Sequence, residues 1–143
     1  MRTLISSLIV ILILTVSIPA QQQDKSVVVK SAIDKLFELC KKNDFEKVAE
    51  VIAYSGKDES RNLKSAYNYK DIKEAGAVKR ISKKIKAFLD ISDKYSIDTP
   101  KEETKTTGKV ISVQIVFISG TQELKTLFAF VDVNGKLLLA DLN

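Results

Sequence analysis

Apolar residues recur at a helical period in the first part of the chain and at a strand period in the last part. Over residues 26–42 they return every three or four positions, which predicts a first helix. Asn43, followed three residues later by Glu46, is typical of a capping box and predicts the start of a second helix. The apolar stripe of this helix runs to Ile52, and we expect the helix to end near Ser55.

A polar, irregular stretch separates the second helix from the third. Residues 57–70 show no sustained period, so we expect a loop with a helical turn around residues 63–67. Asp71, with Glu74 three positions later, predicts the N-terminal cap of a long amphipathic helix that ends near Ile91.

Alternation of apolar and polar residues replaces the helical period after the third helix. It predicts four strands, over residues 95–103, 107–118, 123–133 and 136–142. Pro100 has no backbone N–H, which restricts the first strand to a sheet edge or a bulge. Asn134 and Gly135 suit the two positive-φ positions of a type I′ hairpin between the last two strands.

Helices followed by an antiparallel meander indicate an α+β fold, in which the N-terminal helices pack on a curved antiparallel sheet of about four strands. One face of this sheet would pack on the helices. The other face is also fairly apolar, through Val110, Val116, Ile118, Leu127 and Val131. Because a lone domain must cover this second face or pair through it, the pattern raises the hypothesis of a homodimer through the sheet face.

The N-terminus is typical of a secretory signal peptide. Arg2 precedes the uncharged apolar residues 4–18, and Ala20 stands at an abrupt change to polar sequence. As a helix the run would be roughly 22 Å long, short of the roughly 30 Å hydrocarbon core, which favours cleavage after Ala20 over an uncleaved anchor. A lipid anchor is disfavoured because the only Cys, Cys40, lies far from this boundary. We therefore expect a secreted or periplasmic protein in which residues 21–143 form one domain without a membrane span.

The charge of the chain is mildly basic, with a formal net charge of +5 and interspersed signs. Its densest basic run comprises Lys79, Arg80, Lys83, Lys84 and Lys86 in the third helix. Apolar residues take the other side of that helix, so we interpret the run as a solvated helix face and expect no nucleic-acid partner. A weaker alternative is that this face binds an anionic membrane surface.

Few residues are available for catalysis, because the chain has no His and one Cys. The commonest general base and metal ligand is therefore missing, and Ser–His and Cys–His pairs are excluded. The acidic pairs, at residues 58–59 and 102–103, lack the spacing of a calcium loop, and no glycine-rich phosphate loop exists. We expect no metal and no cofactor. Cys40 has the spacing of a helical core residue, the alternative being an intermolecular disulfide.

The order of elements resembles that of the NTF2-like (cystatin-like cone) superfamily, and in particular its small secreted bacterial domains. The resemblance rests on the helix–helix corner FELCKKNDFEKVA, residues 37–49, and on the strand pair LFAFVDVNGKL, residues 127–137. It implies a cone formed by a curved sheet around a helix. The superfamily has a short strand between helices two and three, which residues 57–70 do not show. It also includes isomerase-like and dehydratase-like enzymes, so the resemblance alone does not decide function.

Four tyrosines are the candidate ligand-binding residues, because an aromatic body with a polar tip suits contact with a ligand or partner. They are Tyr54, Tyr67, Tyr69 and Tyr95, near helix ends and in the irregular loop. Covering the edge of the core is the alternative role. We therefore expect an exported, non-catalytic domain that binds a protein or small molecule. The alternative is an isomerase- or dehydratase-like enzyme with a buried carboxylate in the cone.

Overall fold

A computed structural model describes the backbone of residues 20–143 and the side chains of residues 25–143. The predicted signal peptide lies outside these residues, except for Ala20, whose backbone begins the first helix, α1 (Ala20–Lys42). This helix ends where the sequence predicts and begins earlier. The side chains that α1 buries follow the helical period: Val29, Ile33, Leu36, Phe37 and Cys40.

The corner after α1 is built differently from the predicted capping box. Asn43 takes a left-handed conformation, with φ 54°, and its N–H donates to the Cys40 carbonyl at 3.1 Å. The N–H of Asp44 donates to the Leu39 carbonyl at 3.1 Å. These two bonds form the Schellman motif that closes a helix, so Asn43 terminates α1. The prediction of Asn43 as an N-cap is therefore wrong, and Asp44 caps the second helix, α2 (Phe45–Ala49), through its side chain.

The third helix, α3 (Ile72–Ile91), agrees with the prediction at both ends. The Asp71 carboxylate accepts hydrogen bonds from the backbone N–H groups of Lys73 and Glu74, at 2.9 and 3.0 Å. These bonds satisfy two of the donors that a helix N-terminus leaves open, which is why α3 starts here. Its buried side chains are Val78, Ser82, Ile85 and Leu89.

Five strands form one antiparallel sheet in the order β1–β3–β4–β5, with β2 also paired to β3. They are β1 (Lys94–Ile97), β2 (Lys101–Lys105), β3 (Gly108–Ser119), β4 (Gln122–Val133) and β5 (Lys136–Leu142). The predicted first strand is thus two strands, interrupted before Lys101 around Pro100 and placed at the sheet edge as expected. The predicted type I′ residues Asn134 and Gly135 have φ values of 54° and 80° and connect β4 to β5.

The segment after α2 extends the sheet, although the sequence predicts a helix there. α2 ends at Ala49, well before the predicted end near Ser55. Ala53 then donates its N–H to the Leu139 carbonyl of β5 at 2.8 Å, in a parallel arrangement that pairs residues 51–53 with the edge of the sheet. The β-branched residues of this segment suit an extended backbone, and the free edge of β5 supplies its hydrogen-bond partners.

The loop before α3 has its helical turn earlier than predicted. The N–H of Asn62 donates to the Asp58 carbonyl at 2.9 Å, which closes one helical turn. Leu63 then takes a left-handed conformation, with φ 58°, so no helical turn forms over residues 63–67. The chain returns instead to Ala66, which pairs with the extended segment through Ala53.

The two faces of the sheet are covered by different parts of the chain. The inner face packs on α1 and α3, and its largest buried side chains include Val113, Ile115, Phe128 and Phe130. On the outer face a second apolar cluster joins Ala53, Val110, Val131 and Leu138, and Leu63 and Ala66 pack against it. The irregular segment, residues 57–70, therefore covers part of the outer face, which would have to be exposed for a homodimer to form through it. Leu127 remains 44% exposed there.

Within residues 20–143, none of the helices combines the length and the apolar character that crossing a bilayer requires.

Candidate functional site

Two of the four predicted tyrosines lie together beside the irregular loop. The rings of Tyr54 and Tyr67 meet edge to face, with their centroids 5.4 Å apart. The guanidinium carbon of Arg61 lies 4.3 Å from the centroid of the Tyr54 ring. The hydroxyl of Tyr67 donates to the Ser55 carbonyl at 3.2 Å. Tyr54, Tyr67 and Arg61 therefore form a cation–π and aromatic cluster that stabilises the conformation of the loop.

A charged pair fixes the same loop to the first turn of α3. Arg61 donates two hydrogen bonds to the Glu74 carboxylate, at 2.7 and 3.1 Å, and a third to the Ala66 carbonyl at 3.2 Å. Glu74 also accepts the backbone N–H of Asn68 at 2.6 Å. The hydrogen bond from Arg61, supported by that from Asn68, holds the pKa of the Glu74 carboxyl below its usual value. Glu74 thus connects the first turn of α3 to two positions of the loop, Arg61 and Asn68.

The other two predicted tyrosines lie elsewhere. The Tyr69 ring lies beside α3, with the Lys79 ammonium 5.7 Å from its centroid. Tyr95 lies on β1, at the opposite edge of the sheet from β5, with its ring 5.1 Å from that of Phe37. Its hydroxyl donates to Asp34 at 3.4 Å, and burial together with that carboxylate raises the pKa of Tyr95. The four tyrosines therefore do not form one site.

A groove runs between α3 and the end of β5, with a cavity volume of about 320 Å³; we call it the α3–β5 groove. Its apolar surface includes Ile52, Ile81, Leu139 and Leu142. Its polar and charged lining comprises Ser55, Tyr67, Arg80, Lys84 and Asp141. The predicted Tyr67 thus belongs to a concave surface that also carries charge. Tyr95 lines a separate groove of about 430 Å³, together with Lys30 and Asp98.

The charges of the α3–β5 groove are unbalanced. Arg80 and Lys84 lie one turn apart on α3, and among the described residues neither has a carboxylate within ion-pair distance. Lys84 donates to the Leu142 carbonyl at 3.3 Å. The Asp141 carboxylate is already engaged, because it accepts the Leu142 N–H at 2.8 Å and the Asn143 side-chain amide at 2.5 Å. Two cations over an apolar surface can bind an anionic ligand.

A larger groove, of about 540 Å³, lies between the N-terminal part of α1 and the sheet. Its charges are paired within the protein: Glu102 contacts Lys25 at 2.5 Å and Lys109 at 3.5 Å. The hydrogen bond from Lys25 lowers the pKa of Glu102. Asp132, which also lines this groove, accepts the Gly135 N–H at 2.8 Å. This groove therefore offers a ligand less uncompensated charge than the α3–β5 groove.

The core between the helices and the sheet contains few polar groups. Among the residues with described side chains, the buried polar ones are Ser82 and Thr126. The same part of the chain has no group of three or more His, Cys, Asp and Glu side chains placed to hold a metal ion. Cys40 is fully buried, which confirms the core interpretation, and burial raises the pKa of its thiol.

Sequence reasoning included Tyr67 and missed the two cations beside it. The sequence pattern places Arg80 and Lys84 on a solvated helix face, and both are exposed. Arg80 and Lys84 are four residues apart, so they lie on the same side of the helix, and Ile81 next to Arg80 belongs to the apolar stripe. This spacing is the sequence signal that places both cations where the solvated face of α3 meets its apolar face.

No protein-family model, no curated protein and no solved structure matches the chain.

Proposed function

We propose that the chain is an exported, non-catalytic binding domain whose ligand occupies the α3–β5 groove. One observation carries this proposal: Arg80 and Lys84, without carboxylate partners among the described residues, border an apolar groove of about 320 Å³. Small-molecule sites combine a mostly apolar concave surface with a few polar groups in this way. Export rests on the signal-like pattern of residues 1–20 and predicts a secreted or periplasmic location.

Membership of the NTF2-like superfamily is part of the same proposal. Its support is architectural: helices first, then an antiparallel sheet that curves around them. The superfamily has a short strand between helices two and three, and the sequence pattern of residues 57–70 does not predict one. Residues 51–53, which pair with β5, are a short extended segment between α2 and α3. An architecture of this kind supports a fold family and leaves the ligand to be argued from the site.

The enzyme alternative has less support. It needs a carboxylate inside the cone, because burial is what raises the pKa of a carboxyl group towards that of a general acid or base. Within residues 25–143 the buried polar side chains, Ser82 and Thr126, are hydroxyls. The interior over the inner face is filled by apolar side chains such as Phe128 and Phe130.

A homodimer through the outer sheet face is a second proposal. Leu127 carries it, since this side chain lies in the middle of β4 on the outer face and is 44% exposed. Val110 and Val131, which belong to the same face, are 5% and 4% exposed and are covered by the irregular segment. The apolar area left for a partner is therefore small.

Nuclear magnetic resonance of the isotope-labelled protein, titrated with a library of neutral, anionic and cationic fragments, tests the binding proposal. We expect the shifted resonances to cluster on the lining of the α3–β5 groove. Ala77 lines this groove and Ala87 is exposed on the same helix outside it. Ala77→Phe should fill the groove and abolish binding, whereas the matched control Ala87→Phe should not. Absence of any binding, or binding that Ala77→Phe leaves intact, would overturn the proposal.

A further inference from the structure

We infer that the ligand of the α3–β5 groove is a small organic monoanion, a carboxylate with a short apolar chain. This inference rests on the proposed function, because it names the chemical class of the ligand of the same site. The carboxylate would lie against Arg80 and Lys84, and the chain along Ile81 and Leu142, which are the partly exposed large apolar side chains of the groove.

The size of the groove favours a small molecule over a polymer. Its volume of about 320 Å³ lies at the lower end of the range of roughly 300–1,000 Å³ for small-molecule pockets. The groove ends at residues 139–142 of β5 on one side and at α3 on the other. A short chain can bury its apolar carbons against Ile81 and Leu142, and this burial adds to the binding free energy that the cations supply.

The cations select a carboxylate in particular. A guanidinium presents N–H groups in a planar fork that matches the two oxygens of a carboxylate, and Arg80 is the guanidinium of this groove. A carbon atom added at Gly76 would lie 3.9 Å from one terminal nitrogen of Arg80, so the guanidinium folds back over the preceding turn of α3. Lys84 adds a second positive charge one turn further on.

Asp141 limits the charge of the ligand. Its carboxylate lines the same groove and is fixed by the Leu142 N–H and the Asn143 side chain, at 2.8 and 2.5 Å. A second carboxylate on the ligand would meet this fixed negative charge, and like charges at close range disfavour binding. We therefore expect a monocarboxylate to bind more tightly than a dicarboxylate of equal length.

A free carboxylate is favoured over an anionic membrane surface. Adsorption to a membrane draws on many basic side chains, each adding about 1 kcal/mol. In the basic run of α3, Lys86 is paired with Asp90 at 2.5 Å, and Lys79 lies 5.7 Å from the centroid of the Tyr69 ring. The remaining cations at the groove are few and lie beside a concave apolar surface, which suits a small ligand better than a flat bilayer.

Isothermal titration calorimetry with hexanoate, hexanamide and adipate tests the inference on the purified protein. We expect hexanoate to bind at least about tenfold more tightly than hexanamide, because a hydrogen-bonded charge is replaced by a neutral amide. Adipate should bind more weakly than hexanoate. Arg80→Gln should weaken hexanoate about tenfold and Lys84→Gln severalfold. Lys83→Gln is the matched control, since Lys83 is exposed on α3 and does not line the groove, and it should change little.

The outcomes separate the inference from the proposed function. Equal binding of hexanoate and hexanamide, abolished by Ala77→Phe, would overturn the anion and keep the groove as a site. If no fragment binds, or if Ala77→Phe leaves binding intact, both proposals fail. Hexanoate affinity that is unchanged in Arg80→Gln would also overturn the inference. The inference would also be overturned if hexanoate does not bind but the protein binds phosphatidylglycerol vesicles and Arg80→Gln weakens that binding. This result would indicate a membrane surface as the ligand. Circular dichroism of each variant checks that it is folded.

Discussion

Glu74 is the single residue on which the irregular segment before α3 depends most. Its carboxylate accepts two hydrogen bonds from Arg61 and one from the Asn68 N–H, and its side chain is 12% exposed. Exposed ion pairs contribute little to stability, but a nearly enclosed carboxylate with several charge-assisted hydrogen bonds contributes more. The segment that Glu74 fixes carries Tyr67, so this residue supports one wall of the α3–β5 groove.

We predict that Glu74→Gln lowers the free energy of unfolding by about 1–2 kcal/mol at neutral pH, because hydrogen bonds to a charged group become bonds to a neutral amide. Urea unfolding measures this change. The matched control is Glu59→Gln, since Glu59 is exposed in the same segment, and it should change stability by less than about 0.5 kcal/mol. An equal effect of both substitutions would contradict the role of Glu74.

The same residue gives a pH dependence with a defined sign. Folding lowers the pKa of Glu74, chiefly through the Arg61 hydrogen bond, so its ionised form stabilises the folded state at pH values above its ordinary, unfolded-state pKa. This contribution is lost as the pH falls through the lower, folded-state pKa. We expect the difference in unfolding free energy between the wild type and Glu74→Gln to be full at neutral pH and to shrink on acidification. A difference that grows towards low pH would contradict this assignment.

Among the elements, the segment of residues 51–53 changes the architecture most. Its pairing with β5 extends the sheet beyond its last regular strand and brings the loop over the outer face. We predict that the amide hydrogens of Ala53 and Leu139 exchange slowly with solvent, because each donates to a carbonyl of the paired segment, at 2.8 and 3.0 Å. Lys57, which is exposed, serves as the control and should exchange fast. Backbone carbon shifts of residues 51–53 should be strand-like, and helical shifts would contradict the pairing.

The elements that the sequence predicts well are those specified by local chemistry. Asp71 caps α3 through its own side chain, and Asn134–Gly135 meets the φ requirement of its turn, so neither depends on distant residues. The end of α2 depends on Leu139, which lies far along the chain, and the spacing of Ile52 suits either a helix or an edge strand.

The residues of the candidate site also differ in whether local sequence or distant residues determine their surroundings. Tyr67 is recognisable from its residue type and its position in a loop. Arg80 and Lys84 border a groove because residues 139–142 lie beside α3 in the folded chain. A single sequence does not contain that proximity, because it arises from the tertiary packing of β5 against α3 and residues 51–53.

At the scale of the whole molecule, Cys40 reports on the integrity of the core. Its side chain is fully buried between elements, and burial raises the pKa of the thiol, which lowers its reactivity further. We predict that a disulfide reagent modifies native Cys40 at least about a thousandfold more slowly than the urea-unfolded chain, since reaction requires opening of the core. Cys40→Ala combined with Ser31→Cys moves the thiol to an exposed position of α1 and should react fast. Fast modification of the native protein would show that the core opens locally.

The proposed homodimer is also a property of the whole molecule, and the small area left on the outer face sets its strength. Standard stable interfaces bury about 800 Å² on each partner. The irregular segment already covers Val110 and Val131, so Leu127 provides most of what remains for a second copy. We therefore expect weak self-association, seen in analytical ultracentrifugation as a rise in mean mass between about 10 μM and 1 mM.

Leu127→Glu should abolish this rise, because a charge on the outer face would have to be buried in the interface. Leu124→Glu is the matched control: Leu124 lies on the same strand, is 40% exposed, and pairs with Phe117 on the opposite face. A monomer mass at every concentration would overturn the dimer, and a mass rise unchanged by Leu127→Glu would place the contact elsewhere.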